Sequence, residues 1–370
     1  MTNRKFGAAL VTALALLAAR ASAQTVRNFP SFLEPGSVLI YPIVDSRMGI
    51  GRGTVISVAN VNGSTLIDPR TGYRRGTVQV RFYYATVPNG GSGWLLTDIP
   101  ELLTPNDILT VLAGDHNPQA ELGWLFVLAE DPETEELIDF NYLVGDEVVV
   151  DASDNRSVHF PAMAFQAMYS QLNGPPSPLP PPPNSNYSNL GYWFTDRVAN
   201  GGNANGSADF NGIEYVNMPD RVFVSSFLEL SDLQAMGADL ILLSTLGRDF
   251  RLTLRFLIYD NEEDQFSRTF NFTCWTRVAL QDISNVVVNL NGSARPGTPV
   301  EEQQTGWMRI NGDVAYNPLT RQTVLDPPFV GAIIQRVVAQ PNDFEFGHLL
   351  HKTGRNAIGH NLPSTTIVNP

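Results

Sequence analysis

Two histidines three residues apart, in His348-Leu349-Leu350-His351, are the plainest metal-ligand spacing in this chain. On a helix that spacing puts both imidazoles on one face, as zinc ligation can use. Phe344 to Lys352 reads as such a short helix, with Asp343 and Glu345 as nearby acids. The stronger signature, two histidines four apart with an acid between them, is absent. Acidic loops offer oxygen ligands that suit calcium. Asp260, Glu262 and Asp264 share one such loop, Glu130 to Glu136 form another, and Asp146-Glu147 and Asp151 to Asp154 follow. None has the alternating Asp/Asn pattern, glycine and terminal glutamate of a dedicated calcium loop. The expectation is no cofactor, with calcium the alternative these loops leave open, since hairpin tips on an acidic protein are acidic in any case.

Nucleophilic chemistry finds less support. Cys274 is the single cysteine, so no intramolecular disulfide can form. It alternates with Phe270 and Phe272, and self-comparison sets it opposite Ile99, which together mark a packing position. No G-x-S-x-G elbow, phosphate loop or dinucleotide fingerprint is present. Gly90-Gly91-Ser92-Gly93 reads as a hairpin loop before Trp94. Paired carboxylates for glycoside hydrolysis need no local motif. Tyr192, Trp193 and Phe194 are the candidate ligand-stacking aromatics, and docking of their own loop is the competing role.

The elements that must position these residues are strands. Val78, Val80, Phe82 and Tyr84 alternate with Thr77, Gln79, Arg81 and Tyr83, and Leu252, Leu254, Phe256 and Ile258 alternate with Arg251, Thr253 and Arg255. A period of two marks strands with one buried face. Helical stripes are scarce, with Pro161 to Gln171 and Phe344 to Lys352 the best short candidates. Asp68-Pro69, Asp131-Pro132 and Asn317-Pro318, each followed two residues on by threonine, share one turn chemistry.

Segments resemble one another in order along the two halves. Val38 to Val44 resembles Val222 to Leu228, Thr54 to Asn60 resembles Ala238 to Ser244, and Val78 to Phe82 resembles Leu252 to Phe256. Asp107-Ile108 then meets Asp282-Ile283, Gly123-Trp124 meets Gly306-Trp307, and Val144-Gly145 meets Val330-Gly331. The reading is an all-β protein of two tandem, internally duplicated antiparallel β-sandwiches, Ig-like or jelly-roll-like, with minor short helices. Its parts are a signal peptide (1–23), domain 1 (35–165), an excursion (172–216), domain 2 (218–350) and a tail (351–370). Trp124 and Trp307 are expected in the two cores. The excursion joins a stiff GPPSPLPPPP stretch to Tyr192-Trp193-Phe194 and a flexible NGGNANG.

Arg4 and Lys5, the apolar run Phe6 to Ala19 and Ala21-Ser22-Ala23 form an export leader, cleaved before Gln24. Its loss removes three cations and no acid and takes the net charge from −13 to −16. Such acidity disfavours nucleic acid as a partner. No later segment is long and apolar enough to span a membrane. The expectation is a secreted, periplasmic or cell-surface protein that is structural or binds an extracellular protein or polysaccharide. The second reading is a secreted carbohydrate-active enzyme or its sugar-binding accessory.

Overall fold

The computed structural model describes residues 34–67, 69, 72–88, 94–174, 186–228, 236–247, 249–260, 264–283, 305–339, 342–352 and 366–367. The leader, Gly90 to Gly93, nearly all of the proline stretch, Glu262 and most of the Asp68 turn and C-terminal tail lie outside the described residues.

Four main antiparallel sheets carry the chain, none of them closed. Sheet 1 has the order β5-β2-β7-β8, from Ile108–Leu112, Arg52–Asn60, Leu143–Asp151 and Arg156–Pro161. Sheet 2 is β4-β3-β6-β1-β9, from Leu95–Leu103, Val78–Pro88, Ala120–Glu130, Val38–Asp45 and Met163–Phe165. Sheet 3 is β15-β12-β18-β19, from Trp275–Ala279, Met236–Leu243, Val330–Ala339 and Asn342–Leu349. Sheet 4 is β14-β13-β16-β11-β20, from Gln265–Thr273, Arg251–Asp260, Thr305–Tyr316, Arg221–Leu228 and His351–Lys352, with β17 (Thr323–Leu325) on β16. A fifth, two-stranded sheet pairs β10 (Ala208–Asp209) with β21 (Thr366–Ile367).

Three apolar clusters bind the four sheets into layers. Leu39, Tyr41, Val80, Phe82 and Val127 of sheet 2 meet Ile56 and Val58 of sheet 1. Val224, Leu254, Phe256 and Ile310 of sheet 4 meet Leu240, Leu242 and Ile333 of sheet 3. Between them, Ile40, Tyr83, Trp124 and Phe126 of sheet 2 meet Ile241, Leu243, Trp275 and Ala332 of sheet 3. The order of layers is therefore 1-2-3-4, with Val158 and Phe160 on edge strand β8 of sheet 1 also reaching the middle cluster beside β19, and the two middle sheets are buried on both faces. That is why all eight residues of β1 are buried, and why Leu240 to Leu243 reads as an unbroken apolar run. Strands with one wet face keep the alternation: β14 has polar Ser267, Thr269 and Asn271 exposed.

Both expected helices are largely strand. Pro161 closes β8, Met163 to Phe165 is β9, and only Tyr169–Asn173 is helical. Phe344 to Lys352 falls in β19 and β20, where Arg336 on β18 holds Glu345 at 2.8 Å across the ladder. Phe344, Phe346 and His348 do alternate with Glu345, Gly347 and Leu349, a period that belongs to a strand.

Candidate functional site

A cavity of about 460 Å³ lies at one end of the joint between sheets 2 and 3. Trp94, Leu96, Trp124 and Phe126 wall it on one side, and Leu246 and Phe250 on the other. Trp94 precedes β4, and β6 sets Trp124 and Phe126 two residues apart on one face, their rings 5.2 Å apart. The far wall is the loop after β12, started by Ser244, whose hydroxyl accepts the Leu246 N–H at 3.3 Å. Trp275 supports Trp94 edge-on at 6.4 Å and donates its indole N–H to the Pro42 carbonyl at 2.8 Å, tying sheet 3 to sheet 2.

Five polar side chains line the cavity: Ser244, Thr245, Asp249, Cys274 and Asn317. Burial pushes the Cys274 thiol up to about 11, with the nearby Trp124 indole acting in the opposite sense. A thiol so placed stays protonated at neutral pH and is a poor nucleophile. The Trp124 N–H is itself buried, beside the Cys274 thiol. The cavity can thus enclose an apolar group, an arrangement suited to binding. Sequence reasoning missed it because its walls come from positions more than a hundred residues apart. The buried Trp124 was the only local signal.

The sequence-selected residues are elsewhere. Tyr192 and Phe194 are buried in the core between sheets 1 and 2, where Asn62 Nδ2 donates to the Tyr192 hydroxyl at 2.8 Å and Arg197 caps the Phe194 ring at 3.9 Å. Trp193 stacks on Tyr187 and meets Tyr169 at 4.8 Å. The three therefore dock the excursion onto the first half. His348 sits on β19 opposite Ile333, and His351 begins β20 opposite Phe223. With strand between them, the one-face helical pairing does not arise. Asp260 ends β13 and Asp264 is exposed before β14. Among the described residues, no group of three or more His, Cys, Asp or Glu is placed to hold a metal ion. The Glu130 to Glu136 acids serve a cation of the chain's own, since Arg81 bridges Glu130 at 2.9 Å, Glu135 at 2.7 Å and Asp98 at 2.8 Å.

Cys274 follows β14 with φ 57°, which turns its side chain from the Phe272 core into the cluster between sheets 2 and 3. Ile99 lies mid-β4 opposite Phe82, so the Ile99–Cys274 equivalence fails. So does Asp107-Ile108 with Asp282-Ile283, because the first pair opens β5 and the second lies in the short helix Leu280–Ile283. Trp307 is 36% exposed rather than part of a core.

Buried carboxyls lie apart from the cavity. Burial, then repulsion from Asp209, pushes Glu214 up to about 8, and burial pushes Asp139 to about 7. Between a free carboxyl's value of 4.5 and these values, the unfolded chain releases protons that the native state retains. Native stability therefore falls as pH rises through that window. Calorimetry is expected to show the melting temperature falling from about pH 5 to about pH 8, and Glu214→Gln to flatten the slope. An unchanged slope in the variant would assign the effect to other groups.

No protein-family model matches the chain, and no curated protein matches it. Among solved structures, the crystal structure of Thermotoga maritima 1070 aligns at 8% identity over 37% of this chain and 97% of that one, with a TM-score of 0.25. The cryo-EM structure of Broad Bean Stain Virus aligns at 8% identity over 90% of this chain and 96% of that one, with a TM-score of 0.17. Likenesses this weak carry no argument about this chain. No helix among the described residues is long and apolar enough to cross a membrane, which says nothing of β-barrels.

Proposed function

We propose that this is an exported, non-enzymatic binding protein, made of two diverged copies of one β-sandwich (35–165 and 218–350), whose ligand enters the cavity beside Trp94 and Trp124. The cavity carries the functional reading, because it is apolar, aromatic and holds its thiol protonated. Its ligand is an aromatic or aliphatic group that packs against the Trp94, Trp124 and Phe126 wall.

Several observations support the duplication. Sheets 2 and 4 follow one strand order, and sheets 1 and 3 another, when each strand of the first half is replaced by its counterpart in the second. Trp124 faces Ala85 across β6 and β3, and Trp307 faces Tyr259 across β16 and β13. Gly145 pairs with Val58, and Gly331 with Leu242. Asp131 Oδ1 accepts from Glu133 and Thr134 at 2.9 and 3.0 Å, and Asn317 Oδ1 accepts from Leu319 and Thr320 at 2.9 and 3.1 Å. The ladders also adjust the alignment. Leu39, rather than Val38, corresponds to Val222, since their partners Val127 and Ile310 correspond.

The test is a titration of the mature chain with anilinonaphthalene sulfonate, followed by a polysaccharide screen with and without calcium. Saturable dye binding weakened about tenfold or more by Trp94→Ala supports the cavity as the site, a loss of about 1.4 kcal/mol. Dye binding indifferent to Trp94→Ala would sink it. Turnover of a polysaccharide would bring forward the carbohydrate-active reading, and calcium-dependent binding would restore a metal. Protein recovered from an exporting host is expected to begin at Gln24, and retention of Met1 would remove the export reading.

A further inference from the structure

The two ends of the four-sheet stack repeat the two faces that meet in its middle. This statement rests on the duplication reading, which makes sheet 4 the counterpart of sheet 2 and sheet 1 the counterpart of sheet 3. The joint between sheets 2 and 3 has two aromatic anchors. Trp124 of sheet 2 is 3% exposed there, and Trp275 of sheet 3 is 9% exposed. Each has a counterpart on a free face. That of Trp124 is Trp307, on the outer face of sheet 4, and it is 36% exposed. That of Trp275 is Ile108, because Ile108 faces Ala59 on β2 as Trp275 faces Leu243 on β12, and it is 63% exposed.

The surroundings of both anchors fit contact with protein. On sheet 4, Tyr259 stacks on Trp307 at 4.0 Å and Phe223 lies 5.2 Å from it. In register beside them are Arg221, Arg309 and Asn311. The buried Nε atoms of both arginines and the buried Oδ1 of Asn311 make no hydrogen bond. On sheet 1, the face around Ile108 presents Val55, Leu112, Val144, Val148 and Asp146. It also carries Ser57 and Thr110, bonded to each other, and Asp146 beside His159, whereas the opposing sheet 4 face carries arginines. Each face thus sets exposed apolar side chains within a polar surround, and apolar patches rimmed by polar residues mark interaction sites.

We propose that copies of this chain associate head to tail, the outer face of sheet 4 on one copy seating on the outer face of sheet 1 on the next. The contact repeats the internal joint, with Trp307 and Ile108 in the places of Trp124 and Trp275. Because the two faces differ, the contact is heterologous and continues into a series rather than stopping at a symmetric dimer.

Sedimentation velocity of the mature chain over a concentration series tests this. The expected result is a ladder of species that grows with concentration. Trp307→Lys blocks the sheet 4 end and Ile108→Lys the sheet 1 end, and each variant alone is expected to sediment as a monomer with unchanged circular dichroism. Mixed in equal amounts, the two variants are expected to form a heterodimer and nothing larger, because one free face of each kind remains. A wild-type chain that stays monomeric, a Trp307→Lys ladder, or a mixture that stays monomeric would each overturn the proposal. So would a polysaccharide that occupies Trp307 while wild type remains monomeric. The duplication is checked apart from this by an experimental structure of Ile108→Lys. If its halves superpose with Trp124 on Trp307 while wild type stays monomeric, only the association falls. If they do not superpose, the duplication falls and takes this inference with it.

Discussion

Valine at Gly145 or Gly331 is expected to destabilise the protein by on the order of 3 kcal/mol or more, because neither position has room for a side chain. A Cβ on Gly145 would overlap the Tyr41 hydroxyl and lie 2.6 Å from the Ser57 carbonyl oxygen. On Gly331 it would overlap the Ile241 carbonyl oxygen and come within 3.1 Å of Leu350. The Ser57 and Ile241 oxygens belong to ladder backbone and cannot swing aside as a flexible side chain would. The Tyr41 hydroxyl is held as well, since it donates to that same Ser57 oxygen at 2.9 Å. Gly237 provides the control. It lies in a strand of the same sheet as Gly331, and its added Cβ meets nothing within 4 Å. Alanine there is expected to change stability by less than about 1 kcal/mol, in either direction. Urea-unfolding midpoints at constant slope make the comparison. Equal losses at all three positions would show that crowding is not the cause.

Trp275→Ala is expected to cost about 3–5 kcal/mol and to divide one unfolding transition into two. The side chain belongs to the apolar cluster between sheets 2 and 3, and its N–H reaches the Pro42 carbonyl in the other half of the chain. The cores within each half are separate clusters, so the middle cluster is what couples their unfolding. Without Trp275, far-ultraviolet dichroism and tryptophan fluorescence should no longer trace coincident curves. Trp275→Phe retains most of the apolar area and loses mainly the hydrogen bond, a change of about 1 kcal/mol. A single coincident transition in Trp275→Ala would mean that the halves are coupled by something else, such as the contact of β8 with β19.

Much of this architecture was legible in the sequence where a strand has one wet face. Leu252, Leu254 and Phe256 alternate with polar residues on such a strand and are fully buried, and Val78, Val80 and Phe82 keep the alternation because Gln79 and Arg81 on the other face of β3 hold Glu130. The reading weakened where both faces are dry. Val38 to Val44 has no alternation to fix its phase, so it aligned one residue out of step with Val222 to Leu228, and a slip of one exchanges the faces of a strand. Cys274 was misplaced for a related reason. Its period continues from Phe270 and Phe272, but its positive φ breaks the strand and sends the thiol to a different core. The cavity was not legible at all. Trp94, Leu246 and Phe250 share no local pattern, and only the packing of sheet 2 on sheet 3 brings them together. The Tyr192-Trp193-Phe194 run stood out by its chemistry, yet Asn62 and Arg197 show that chemistry spent inside the protein.

The dry middle of the stack has a consequence for how the chain is made. Synthesis proceeds from the N-terminus, so β1 to β9 are available before β12, β15 and β18 exist. Sheet 2 can close against sheet 1 at that stage, but its other face, with Ile40, Tyr83 and Phe126, has only part of its cover, from residues such as Phe210 and Tyr215, until sheet 3 arrives. During that interval the nascent first half presents a broad greasy surface to every neighbouring chain. Intermediates of this kind are the ones that aggregate. The protein cannot be finished one half at a time, and its yield in a cell depends on how quickly the second half follows the first, or on a chaperone that shields sheet 2 in the meantime.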